Sequence, residues 1–234
     1  MTRSRPQILM ALDTSTRTTG LAIYDGVQVL YEAVWFSRDH HTAELAPAIA
    51  DALSRCALKA ADLGAIGVAL GPGSFTGLRI GLAFAKGLSL AQNLAVVGTG
   101  SLEPLALAQP MLAPNLAAVL RAGRGRLAVG WYQAAKDGWR STNKLEVLTA
   151  PELADRVDSL TQVCGELFEE ERRLLKSKRK IILLASPASS LRRPSFLAEL
   201  AWQRWQAGQV DDAASLVPIY LHYNAPIPGG ISAG

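Results

Sequence analysis

The run Gly71-Pro72-Gly73-Ser74-Phe75-Thr76-Gly77-Leu78-Arg79-Ile80-Gly81 constrains this chain more than any other stretch. An apolar run, Ala65 to Leu70, precedes it, and a long apolar segment, Leu78 to Ala95, follows, so it reads as strand, glycine-rich turn and helix. Such a turn offers free backbone N–H groups at the positive end of a helix, a setting that suits an anion. The helix itself is unusual. Gly77, Gly81, Ala85 and Ser89 lie one above the other, and Gly87 adds a third helical glycine. Three glycines give up roughly 3 kcal/mol of helix propensity against alanine. Another backbone is therefore expected to approach that nearly bare face, either a partner's helix or this chain's own sheet.

The 234 residues are enough for one large domain or two small lobes. No apolar run reaches the ~18 residues of a membrane span, because Lys86 and Gln92-Asn93 interrupt the nearest one. Cys56 and Cys164 are far apart and form no CxxC, as expected of a reduced, cytoplasmic protein with small buried thiols. The basic N-terminus leads directly into a short strand, which is not the pattern of a signal peptide. Net charge is +4, compatible with a nucleic-acid partner without arguing for one. The clustered cations Arg172-Arg173, Lys176 to Lys180 and Arg192-Arg193 read as solvated helix ends and loops.

In chain order, Ile8–Asp13, Leu21–Tyr24 and Val27–Phe36 are strands, with Asp25-Gly26 as a hairpin turn. A helix follows with Leu45, Ile49, Leu53 and Cys56 on one stripe and Pro47 near its first turn. Then come the strand Ala65–Leu70, the glycine-marked helix, a strand at Ala95–Val97 and a short helix from Ser101, its expected N-cap, to Gln109. The first half thus reads β-β-β-α-β-α-β-α. Pro110, Pro114 and Asn115 mark a boundary. Strands are expected at 116–120, 127–133 and 145–148, then a helix at Pro151, a strand at 161–164, a charged helix at 166–176, a strand at 180–185 and a helix from Ser189 or Ser190 to Ala207. The order of elements is loosely duplicated. This division gives lobes 1–108 and 109–223 and a disordered tail, 224–234.

Standard catalytic motifs are missing. GxxxxGK[ST], GxGxxG, GxSxG and HExxH do not occur, and the adjacent His40 and His41 cannot share a metal as i, i+4 histidines do, so no metal site is expected. No nucleophile–base pair suggests a protease. What remains is Asp13-Thr14-Ser15-Thr16: a carboxylate at a strand end followed by hydroxyl residues can hold phosphates and magnesium, or can simply cap a β-turn.

Ile8–Gly20 resembles the first phosphate loop of the actin, sugar kinase and heat-shock chaperone superfamily. The 71–81 run, with Lys86-Gly87, Gly98-Thr99-Gly100-Ser101-Leu102-Glu103, His41 to Pro47 and Pro218-Ile219-Tyr220-Leu221, resembles the TsaB (YeaZ) family, strongly over residues 8–108 and faintly beyond. The resemblance implies an α/β fold of two actin-like (ribonuclease H-like) lobes, each a mixed sheet with helices, the second reduced. It implies a non-catalytic scaffold subunit that pairs with the catalytic paralogue TsaD in N6-threonylcarbamoylation of adenosine 37 in tRNA. The ATPase TsaE would bind the pair, tRNA would be met through the complex, and the chain alone would form a homodimer. The interface would use helices at about 42–57 and 74–93, with Leu45, Ile49, Thr76, Gly77, Ile80, Gly81, Phe84, Ala85, Leu88 and Ser89. No cofactor would be required; ATP or ADP could sit at the partner interface, and Asp13, Thr14, Ser15, Gly73 and Ser74 are the phosphate-binding candidates.

The rival reading is an actin-like small-molecule kinase or ATPase using the Asp13 loop and the 71–77 loop. Against it, the turn expected to carry a second acidic residue, Val119 to Arg126, holds three arginines and no carboxylate. It also departs from the family's DARRGEVY-like run at Arg121, Arg126 and Ala128.

Overall fold

A computed structural model describes residues 7–37, 41–178 and 180–221, with the backbone alone at 41 and 42. The expected tail and His40 lie outside the described residues. The first half contains β1 (Leu9–Asp13), β2 (Thr18–Tyr24), β3 (Val29–Phe36), α1 (His41–Arg55), β4 (Ala65–Gly71), α2 (Phe75–Gln92), β5 (Ala95–Gly100) and α3 (Glu103–Leu107). The second repeats that order: β6 (Asn115–Arg121), β7 (Leu127–Ala135), β8 (Gly138–Leu148), α4 (Ala150–Arg156), β9 (Thr161–Gly165), α5 (Glu169–Ser177), β10 (Ile182–Leu184) and α6 (Pro194–Gln206).

The sheets confirm the duplication. One has the order β3-β2-β1-β4-β5, the other β8-β7-β6-β9-β10. In each, the first three strands form an antiparallel meander and the last two run parallel to the first. The strands with parallel neighbours, β1, β4, β6 and β9, are almost entirely buried, as continuous apolar runs between two layers should be. These are the two actin-like lobes. The second is reduced in its helices and in β10, which spans 3 residues.

Each sheet has its own two helices on one face. Leu45, Ile49 and Leu53 of α1 and Leu82 and Ala85 of α2 pack on Met10, Leu12, Ile66 and Val68. Leu153 of α4 and Leu175 of α5 pack on Val119, Val129 and Val163. The opposite faces are covered by exchange. Leu197, Ala198 and Ala201 of α6 bury Leu9, Ala11, Ala65 and Val97 of the first sheet. Leu105 and Ala106 of α3 bury Leu116, Ala118, Leu120 and Cys164 of the second. A division by sequence at residue 108 therefore separates each of these helices from the sheet on which it packs.

Local chemistry explains where several boundaries moved. Ser101 does not cap α3: its hydroxyl accepts from the Gly71 N–H (3.1 Å) and is shared with Ser15, and Leu102 occupies the N-cap position. α6 starts at Pro194, where proline suits a first turn, rather than at Ser189. Thr149 and Glu152 form a capping box that starts α4. β8 runs from Gly138 because it pairs along the whole of β7 across a bulge near Trp131.

Candidate functional site

The expected phosphate loop is a real constellation, and its members bind one another. Asp13 ends β1 in the interior, 4% exposed. One carboxylate oxygen accepts the Ser15 N–H (2.8 Å), turning the chain toward β2. The Thr14 hydroxyl donates to the Gly77 carbonyl (2.7 Å), the Ser15 hydroxyl meets that of Ser101 (2.6 Å), and the Ser74 N–H donates to the Ser15 carbonyl (2.5 Å). Ser74 itself caps α2, its hydroxyl accepting from the Gly77 N–H. The 71–77 turn thus closes on residues 13–16, and the Ser74 N–H that could have met a phosphate is spent on Ser15.

This docking also accounts for the bare face of α2. A Cβ at Gly77 would lie under 3.0 Å from the Thr14 carbonyl oxygen, and one at Gly81 equally close to the Thr14 hydroxyl. Ala85 is fully buried in the first core, and Ser89 donates to the Leu94 carbonyl (2.7 Å). What Gly77 and Gly81 admit is Thr14 of this chain's own β1–β2 loop, its carbonyl at Gly77 and its side chain at Gly81, which corrects the expectation that these two glycines await a partner helix. Leu45 and Ile49 are likewise core residues. Of the named interface residues, Thr76 is exposed and Ile80, Phe84 and Leu88 are half-exposed.

The decisive residue was missed in the sequence. Arg192, placed among solvated cations above, is 4% exposed and lies between the lobes. Its Nε donates to Asp13 (2.8 Å), Nη1 to Glu166 (2.5 Å), and Nη2 to the Thr16 hydroxyl (2.9 Å) and the Thr18 carbonyl (3.0 Å). Thr16 donates in turn to Glu166 (2.6 Å). Burial works against the guanidinium charge, but Asp13 and Glu166 outweigh it and hold the group's pKa above its ordinary value. A second carboxylate does face Asp13, then. It comes from the β9–α5 loop and not from the 119–126 turn, and an arginine separates the two. With both carboxylates committed to a guanidinium, the residues present do not fit a magnesium-bound triphosphate.

The arginines of the β6–β7 turn are mostly neutralised nearby. Arg121 pairs with Glu171 (2.6 Å) and lies over the Phe168 ring (3.9 Å), and Arg126 reaches Glu152 at 4.0 Å. Among the described residues, no three His, Cys, Asp or Glu side chains gather as a metal-binding group. Nor, among those residues, is any helix long and apolar enough to cross a membrane.

Comparison with known proteins identifies the family and the fold. The family described as "TsaD: tRNA N6-adenosine threonylcarbamoyltransferase" matches residues 36–181. The tRNA threonylcarbamoyladenosine biosynthesis protein TsaB of Bacillus subtilis is 34% identical over 53% of this chain and 55% of its own length. The Escherichia coli protein of the same name is 28% identical over 68% of each chain. The chain thus spans little more than half the length of the first of these relatives. The solved structure of YeaZ from Pseudomonas aeruginosa superposes with a TM-score of 0.74 at 25% identity, covering 92% of this chain and 100% of that one. Matched over more than half its length, the chain belongs to the threonylcarbamoyltransferase (TsaD) family of actin-like proteins, in its TsaB/YeaZ branch.

Proposed function

We propose that this chain takes part in making N6-threonylcarbamoyladenosine in tRNA as a non-catalytic subunit that docks on a catalytic paralogue of its own family. The observation that carries the non-catalytic reading is Arg192. It occupies the cleft between the two lobes, and its Nε and Nη1 are ion-paired to the two carboxylates that a nucleotide-bound metal would need. The kinase reading requires those carboxylates to be free.

The docking reading rests on the outer face of α1 and α2, which pack together on one side of the first sheet. Ala43, Ala46, Pro47 and Ala50 of α1 are exposed, beside half-exposed Ile80, Phe84 and Leu88 of α2. These residues are apolar and mostly small, the composition of an interface core, with exposed Asp51, Arg55 and Arg79 on the same two helices. On this reading the same face joins two copies when the catalytic paralogue is absent, and the TsaE ATPase binds the assembled pair. Nucleotide and tRNA are then engaged by the complex, in the cytoplasm.

Gly87 provides the test. It is exposed on α2, with nothing within 4 Å of an added Cβ, so a side chain there does not disturb the monomer. Gly87→Arg should leave thermal unfolding intact and weaken binding to the purified catalytic paralogue roughly 100-fold or more, by calorimetry. tRNA modification in a reconstituted mixture should fall in parallel. Undiminished binding would refute the docking face. Mg-dependent ATP turnover by the isolated chain would refute the non-catalytic reading and restore the kinase one.

A further inference from the structure

We infer that Arg192 is a built-in cation that latches the two lobes in one closed arrangement, doing within the chain what a bound ligand would otherwise have to do between them. The inference goes beyond the partner-subunit reading and stands without it. Its basis is where the acceptors come from. Asp13 ends β1, Thr16 lies in the β1–β2 loop and Thr18 begins β2, all in the first lobe; Glu166 follows β9 in the second. The guanidinium commits four of its five N–H donors to these groups. Every acceptor is oxygen, two are carboxylates, and they converge from both lobes on one buried point, which is how a cation cradle is composed.

Neighbouring contacts fix the cation in place from behind. Arg193, next in the chain, pairs with Glu32 of β3 (2.5 Å), and Glu32 also accepts from the Ser195 N–H and hydroxyl. Gln109, just past α3, donates to the Ser189 carbonyl (2.7 Å), tying the segment ahead of Arg192 to the second lobe. The segment 189–195 is therefore held on both sides of the cleft, and Arg192 points into it. The oxygens of Asp13, Thr16 and Glu166 that a ligand-borne cation would use are thus already engaged by Arg192.

The experiment measures the distance between the lobes. Spin labels are placed at exposed Ser54 on α1 and Glu170 on α5, in a background with Cys56 and Cys164 replaced, and distances are read by pulsed electron resonance. The otherwise unaltered chain should give one narrow distribution that does not move with Mg-ATP. A broad distribution, or one that narrows with Mg-ATP, overturns the latch. Arg192→Met should broaden the distribution, and millimolar methylguanidinium or Mg²⁺ should narrow it again. Should that variant fail to fold, the triple variant Asp13→Asn/Glu166→Gln/Arg192→Met leaves no buried charge unpaired. A folded triple variant with a broadened distribution supports the latch. An unchanged distribution in either variant overturns it. So does a triple variant that cannot fold, since the cluster would then be serving core stability and not closure.

Discussion

Two glycines of α2 should respond to the same substitution with opposite sign. At Gly77 a methyl group must displace the Thr14 carbonyl, which an added Cβ would approach to under 3.0 Å. That obstacle is backbone in a buried loop, so it cannot swing aside, and overpacking of this kind costs about 1–3 kcal/mol. Shifting the loop also weakens the hydrogen bond from the Thr14 hydroxyl to the Gly77 carbonyl, worth about 1 kcal/mol. Alanine returns about 1 kcal/mol of helix propensity. Gly77→Ala should therefore destabilise the protein by about 2 kcal/mol. Gly87 lies in the same helix, exposed and with no atom within 4 Å of its added Cβ, so Gly87→Ala keeps only the propensity gain, about 0.5–1 kcal/mol. Urea unfolding followed by circular dichroism reads both, with midpoints moving in opposite directions. If Gly77→Ala is as stable as the parent, the claim that α2 is stripped of side chains to admit Thr14 is wrong. The same geometry implies that Gly81→Arg damages the fold itself, so it cannot serve as a clean interface mutation.

Two further outcomes follow from buried groups. Burial raises the pKa of Glu32, but its bonds to Arg193 and Ser195 outweigh that and hold it below its ordinary value. A carboxylate with a depressed folded pKa stabilises above its unfolded pKa and loses that contribution as pH falls through the folded one. Stability should thus decline below about pH 4, and Glu32→Gln should cost about 1 kcal/mol at pH 7 while flattening that decline; an unchanged acid limb in urea titrations would contradict the assignment. Cys164 is fully buried, with its thiol pKa pushed up by burial, whereas Cys56 is half-exposed. A thiol reagent should label Cys56 slowly in the native protein and Cys164 only on unfolding, and equal native rates would contradict the packing of β9.

Periodicity and turn chemistry made most of the elements legible. Asp25-Gly26 announced the β2–β3 hairpin, the stripe Leu45, Ile49 and Leu53 announced α1, and the order β-β-β-α-β-α-β-α was visible twice. The small residues of α2 announced a close approach but not its source, because a glycine notch receives a loop of its own chain as well as it receives a partner. Arg192 could not be read at all. Its partner Asp13 lies 179 residues away, and an arginine between a serine-rich turn and Pro194 carries no mark of burial. Its other partner, Glu166, read as the first residue of a charged helix, lies instead in the loop ahead of α5, which starts at Glu169.

The exchange of helices gives the physical reason for an arginine at this place. α6 ends the second half, yet its small apolar face fits the first sheet so closely that Gly67 has no room for a side chain beside Ala201, and Gly20 meets the ring of Pro194. The chain must therefore cross from β10 in one lobe to α6 in the other, and residues 189–193 are carried over the mouth of the cleft. A crossing segment buries polar groups that need partners; Arg192 finds them, whereas the buried Ser190 hydroxyl has none among the described residues. Burying a cation there is costly on its own and becomes tolerable only where opposed carboxylates and hydroxyls already converge. An actin-like cleft supplies them, since strand ends from both lobes turn their polar loops inward. Arg192 meets that requirement from within the chain: oxygens of Asp13, Thr16, Thr18 and Glu166 hold the crossing segment in place.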